Sequence, residues 1–153
     1  MSSNLFSTRF ARLLEPEPGF PHVATEILPF LYLGDLQDAV SWRGFCVNVL
    51  ETRSPSLPPS VVHVSIFDPV ESRAIFGRLE QVADLIDPAL KRRERVLVSC
   101  GQGIERSPLA VVWYLFRKKG MSVSAAYALV REKRPIVQER LEWLHGPGFP
   151  RWW

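Results

Sequence analysis

The stretch Arg95-Val-Leu-Val-Ser-Cys100-Gly-Gln-Gly-Ile-Glu-Arg106-Ser-Pro-Leu-Ala-Val-Val-Trp-Tyr-Leu-Phe-Arg117 decides how this chain is read. Residues 95–99 are a short Val/Leu run of the kind that forms a buried strand, and residues 107–117 are apolar enough for a buried helix. Pro108 falls in the first turn of that helix, where a missing N–H costs nothing. Between the two lies a glycine-bearing loop bracketed by Cys100 and Arg106. A loop so placed can turn successive backbone N–H groups inward at the positive end of a helix dipole, which makes an anion cradle of phosphate size.

The same placement favours a reactive cysteine. A helix N-terminus and a nearby guanidinium both stabilise thiolate over thiol, so Cys100 is expected to act as a nucleophile on the floor of the cradle. Arg106 offers a planar fork that can grip two phosphate oxygens at once. The Ser107 hydroxyl can hydrogen-bond the sulfur and ease its departure. Gly101, Gln102, Gly103, Ile104 and Glu105 supply the rest of the binding loop. These residue types in this order point to phosphoryl transfer.

Cleaving a phosphate ester also calls for an acid at the leaving oxygen. Asp68 is the candidate: it follows the strand-like run 61–67, precedes Pro69, and so sits on a loop. An Asp-Pro pair also serves as a turn or as an N-cap for the helix-like stretch after it. Glu51, at the end of the strand-like run 45–50, is either a pin for Arg106 through a salt bridge or a surface carboxylate.

With these residues in hand, the chain resembles the dual-specificity branch of the cysteine-dependent protein tyrosine phosphatases. The resemblance runs from about Ile27 to about Trp143. It includes Ile27-Leu-Pro-Phe-Leu-Tyr-Leu-Gly-Asp-Leu-Gln-Asp-Ala39, Cys46-Val-Asn-Val-Leu-Glu51, Cys-x5-Arg-Ser, and Ser124-Ala-Ala-Tyr-Ala-Leu-Val-Arg-Glu-Lys-Arg-Pro135. It implies Cys100 as nucleophile, Arg106 as phosphate clamp, Asp68 as general acid and then base, a phosphocysteine intermediate, no metal and no cofactor. Two departures stand out. Ser99 occupies the place of the family's usual histidine, and Ile136-Val-Gln-Glu-Arg140 replaces a segment that usually carries a proline and an asparagine supporting the loop.

Composition fits one globular domain. The chain has 153 residues, 46% hydrophobic and 23% charged, with a net charge of +3, and a chain of this length buries enough surface to hold a core without staples. No 18-residue apolar run suggests a membrane span, and the first residues lack the pattern of a secretory signal. Two cysteines, one needed reduced, point to a cytoplasmic setting. The densest basic run, Lys91-Arg-Arg-Glu-Arg95, reads as a solvated helix-to-strand turn rather than a nucleic-acid face. His22, His63 and His145 lack metal-ligand spacing, and Cys46 reads as a buried core thiol.

Strands are expected near 30–33, 45–50, 61–66 and 95–99, alternating with helices near 35–42, 72–89, 107–119 and 123–133. In the long helix, Ile75, Phe76, Leu79, Val82, Ala83 and Ile86 share one face. The alternation predicts a single α/β domain with a mostly parallel central sheet of about four to five strands and helices on both faces, and a site at the carboxyl ends of the strands. Residues 1–22 read as an N-terminal extension with a short amphipathic helix and a Pro-rich connector, and 23–153 as the catalytic domain. Trp152 and Trp153 either close over the core or form an exposed patch.

The leading function is hydrolysis of phosphotyrosine, with phosphoserine and phosphothreonine, in a protein or peptide. The alternatives are a phosphate-binding module with little turnover, which the Ser99 departure motivates, and a phosphatase for a phosphoinositide or an RNA 5′ end. Neither nucleic acid nor membrane is expected as a partner. Polyphosphorylated ligands call for extra cations around the nucleophile, and the loop has none beyond Arg106; Glu105, if it faced the site, would oppose each added phosphate by on the order of 1–4 kcal/mol.

Overall fold

The fold is seen in a computed structural model that describes residues 23–144 apart from Pro69 and Ser72. The proposed extension 1–22, His22, His145 and the terminal tryptophans lie outside the described residues.

The Val/Leu run forms β5 (Val96–Ser99), buried along its whole length. It lies at the centre of a five-stranded sheet, with β1 (Thr25–Leu28) and β2 (Leu31–Gly34) on one side and β3 (Phe45–Asn48) and β4 (Val62–His63) on the other, in the order β1-β2-β5-β3-β4. β2, β5, β3 and β4 run parallel; β1 pairs antiparallel with β2. The registers set Gly34, Ser99 and Asn48 level with one another. The carboxyl ends of three strands therefore converge where Cys100 leaves the sheet, the usual ligand edge of a parallel sheet.

Helices cover both faces, as the α/β reading requires. Alternate residues of β5 point to opposite sides. Val96 and Val98 enter the larger core with α2 (Ala74–Lys91), α3 (Arg106–Lys119) and α4 (Val123–Lys133), whereas Leu97 joins Cys46, Ala39, Leu57 and Val61 beneath α1 (Leu36–Ser41). In α2 the expected face is buried, through Ile75, Leu79, Val82, Ala83 and Ile86, with Phe76 half-buried at its margin. α3 ends at Gly120, whose φ of 71° is the left-handed conformation glycine accepts freely. α4 starts at the Ser122 cap, whose hydroxyl oxygen accepts from Ala125 N at 3.1 Å.

The departures from expectation have local causes. Strand 61–66 shrinks to Val62–His63 because side chains take over the backbone beyond it: Ser65 Oγ donates to Phe67 O and Arg78 Nη1 to Ser65 O, both at 2.8 Å. Asp68 does not cap α2, since its Oδ1 accepts instead from Val70 N and Glu71 N within its own loop. α2 runs to Lys91 with Pro88 inside it, exposed, while Ala89 stays buried. β1 was not expected as a separate strand; Pro29-Phe30 folds it back onto β2, with Phe30 at a φ of 73°.

Candidate active site

The loop from Cys100 to Glu105 joins β5 to α3 as a pocket of about 230 Å³, lined by Cys100, Gly101, Gln102, Ile104, Glu105 and Arg106. The Cys100 side chain is buried, and its Sγ lies 3.1 Å from Ser107 Oγ. No side chain caps the N-terminus of α3, which is 14 residues long. Its first N–H groups thus remain available to the loop.

Four carbonyls of the loop are drawn outward by donors from other elements. Gly101 O accepts from Leu36 N at 3.0 Å, at the start of α1. Gln102 O accepts from Arg134 Nη2 at 3.3 Å and Gly103 O from Arg134 Nε at 2.9 Å. Ile104 O accepts from Gln138 N at 2.9 Å. In a planar trans peptide the C=O and N–H point in opposite directions. Pulling these carbonyls out therefore turns the N–H groups of Gln102, Gly103, Ile104 and Glu105 inward, and none of the four has a protein acceptor among the described residues. This is an anion nest built by its surroundings.

Gly103 serves the nest through its backbone rather than by lining the pocket. Its φ is +69°, and a Cβ there would come within 2.7 Å of Arg134 Nη2 and 2.8 Å of Gly34 O. Gly101 has no such constraint; the nearest atom to a Cβ there is Leu50 Cδ2 at 3.9 Å.

Arg106 turns toward Glu51, whose Oε2 accepts from Nη2 at 2.8 Å and Nε at 3.2 Å. Of the two readings of Glu51, the pin is the one the structure realises. The Arg106 guanidinium also lies 5.8 Å from the Phe67 ring centre, and Phe67 packs edge-on against Trp143 with centroids 4.8 Å apart. An aromatic wall thus rises beside the clamp. Glu105 does not stand as a bare charge: its Oε2 accepts from Arg140 Nη2 at 2.6 Å.

Asp68 sits next to Phe67, one residue from that wall, but does not line the pocket. Its Oδ2 accepts from Arg78 Nη2 at 3.2 Å. The N–H groups of Glu71 and Val70 first, and Arg78 after them, hold its carboxyl below the usual carboxylate range.

Ser99 is fully buried, and Asn48 Nδ2 donates to its Oγ at 2.9 Å. Cys46 lies on that same side, its Sγ 4.0 Å from Ser99 Oγ, and burial pushes its thiol up to about 11. It is a free thiol buried in the core.

Sequence reasoning missed Arg134, Arg140 and the N-terminus of α1. The departure in 136–140 left no bare spot under the loop: Gln138 supplies a backbone donor and Arg140 a counter-charge. Arg134 gave one usable signal, an Arg-Pro pair at a helix end, but such a pair reads equally well as a solvated terminus.

Residues 45–146 match the family model described as "Dual specificity phosphatase, catalytic domain". The chain belongs to the dual specificity phosphatase family. Among relatives of this family, "Putative tyrosine phosphatase 123R" of Invertebrate iridescent virus 6 is 33% identical over 117 residues, covering 74% of this chain and 81% of that protein. Human "Dual specificity protein phosphatase 16" is 31% identical over 130 residues, which cover 78% of this chain but 19% of that longer protein. The crystal structure of human DUSP28 superposes with a TM-score of 0.65 at 27% identity, covering 84% of this chain and 90% of that one. Membership in the dual specificity phosphatase family supports protein phosphatase activity. Among the described residues no helix is long and apolar enough to cross a membrane.

Proposed function

We propose that this chain hydrolyses phosphotyrosine, and with it phosphoserine and phosphothreonine, in protein substrates through a phosphocysteine intermediate. The observation that carries the reading is one pocket lined by Cys100, Arg106 and a loop whose carbonyls are held by outside donors while its N–H groups at 102–105 have no protein acceptor among the described residues. Cys100 thiolate attacks phosphorus as the P–O ester bond breaks, and the Asp68 carboxyl gives its proton to the leaving oxygen. Asp68 then takes a proton from water, the water oxygen bonds phosphorus, and the P–S bond breaks. Ser107 donates to the departing sulfur, 3.1 Å away. The N–H groups and Arg106 stabilise the equatorial oxygens throughout. No metal or other cofactor enters these steps.

The aromatic wall of Phe67 and Trp143 favours an aryl ester. Arg140 neutralises Glu105, so the expected repulsion of extra phosphates weakens; what still argues for a single phosphate is that Arg106 is the one cation lining the pocket among the described residues. Phosphotyrosyl peptides are expected to exceed phosphoinositides and RNA 5′-triphosphates in kcat/KM.

A second reading, a phosphate-binding module with little turnover, draws on Asp68 standing outside the pocket as a held carboxylate. Purified protein assayed with p-nitrophenyl phosphate in the presence of chelator separates the two. Turnover that Cys100→Ser abolishes while phosphate binding persists supports the phosphatase; binding without turnover in the wild type supports the module.

A further inference from the structure

Arg134 ends α4 and is followed by Pro135, which steers the preceding residue away from helical backbone. Its side chain does not run out to solvent. The residue is 1% exposed, beneath the phosphate loop, and each nitrogen has a partner: Nε on Gly103 O at 2.9 Å, Nη2 on Gln102 O at 3.3 Å, Nη1 on Thr25 Oγ1 at 2.8 Å and Val23 O at 3.4 Å. A buried cation is costly unless its donors are satisfied, and here two of the acceptors are consecutive carbonyls of the catalytic loop. We propose that Arg134 is a positioning residue for substrate phosphate: by holding the Gln102 and Gly103 carbonyls down, it presets the N–H groups of Gly103 and Ile104, two of the four donors of the nest. The proposal rests on reading this loop as the phosphate site.

Three observations argue for more than general packing. The guanidinium touches the loop without slack, since a Cβ on Gly103 would meet Nη2 at 2.7 Å. Its anchor is the β1 end of the sheet, through Thr25 and Val23, so the loop is tied to a rigid element rather than to another loop. Burial lowers the guanidinium's pKa, while Asp35, Asp38 and Cys100 act to keep it charged. A lysine at this position has a single nitrogen and cannot reach both carbonyls and Thr25 together.

The test uses the full chain. Protection of Cys100 from iodoacetamide by inorganic phosphate gives a Kd without turnover, and p-nitrophenyl phosphate gives kcat/KM. Arg134→Lys, shown folded by circular dichroism and its Tm, is expected to weaken phosphate about tenfold and to lower kcat/KM at least as much, because donors displaced by a fraction of an ångström lose their alignment. A folded Arg134→Lys within about twofold of wild type in both measurements overturns the proposal. If that variant does not fold, Thr25→Val carries the test, since it keeps Arg134 but removes the nearer of the two acceptors of Nη1: about threefold weaker phosphate supports positioning, and an unchanged Kd overturns it. A wild type that phosphate protects but that turns over no ester ends the phosphatase reading and leaves the Arg134 result decisive. A wild type that phosphate does not protect overturns both.

Discussion

Asp68 shows how one side chain can be read two ways. Its carboxylate is stabilised by Glu71 N, Val70 N and Arg78, all of which favour the charged form, whereas a proton donor must first hold its proton. If Asp68 is the acid, Arg78 opposes it by depressing its pKa. Removing that cation raises the pKa, so Arg78→Met is expected to move the alkaline limb of the kcat/KM profile for a phosphotyrosyl peptide, whose leaving oxygen needs a proton, to higher pH. Asp68→Asn is expected to erase that limb and slow the reaction by roughly 10²–10⁴. Profiles of both variants that overlay the wild type would transfer the role to another group, with Glu71 the next carboxylate to test. Cys100, Arg106 and Ser107 were legible as a site because one short loop carries them all. Arg134 was not, because nothing in α4's apolar spacing says that its final cation turns inward. Arg140 was hidden for a similar reason, as its partner Glu105 is 35 residues away.

The loop 100–105 as an element depends on a backbone conformation that a residue with a side chain at position 103 adopts only under strain. Gly103→Ala meets a positive φ together with close approaches to Arg134 and to the Gly34 backbone. Strain of this kind costs on the order of 1–3 kcal/mol. The variant is expected to lose both thermal stability and phosphate protection of Cys100, while Gly101→Ala, which meets nothing closer than 3.9 Å, leaves Tm near wild type. Equal Tm for the two variants would contradict the loop geometry described above. Among the larger elements, α4, expected near 123–133, forms over Val123–Lys133, and the structure shows Ser122 capping its start. β4 was overestimated because Val61 to Phe67 alternates like a strand, while the hydrogen bonds that cut it short come from Ser65 and from Arg78 on another element.

For the whole molecule, the sheet ends, α1 and the loop meet over the buried Arg134 and the half-buried Asp35 and Asp38. Asp38 and Asp35 cap α1 reciprocally, Asp35 N donating to Asp38 Oδ2 at 3.0 Å and Asp38 N to Asp35 Oδ1 at 2.8 Å. Burial first, and the neighbouring Asp35 charge next, push Asp38 up to about 7. A carboxyl whose folded pKa exceeds its unfolded value binds more protons when folded. Its contribution to stability is therefore full below the ordinary carboxylate range and is lost as pH rises through about 7. Asp38→Asn keeps an oxygen for the Asp35 N–H but carries no charge, so its Tm relative to wild type is expected to be higher at pH 8 than at pH 5. A difference independent of pH would show that Asp38 does not titrate in that window. The α/β architecture itself was legible from alternating strand and helix patterns; the charges under the loop were not, because they come together only once α1, β1 and α4 have packed.

In the mechanism proposed above, Cys100 carries the phosphoryl group during turnover. Asp68→Ala, mixed with p-nitrophenyl phosphate and quenched in acid, tests it most directly. That substrate's leaving group departs without an acid, whereas release of phosphate from the enzyme still needs a base, so the intermediate should accumulate. Mass spectrometry is expected to find one phosphoryl group on the peptide that contains Cys100, and none in the same variant carrying Cys100→Ser. Steady ester hydrolysis with no phosphoryl group on Cys100, or with one on another residue, would rule out Cys100 as the nucleophile.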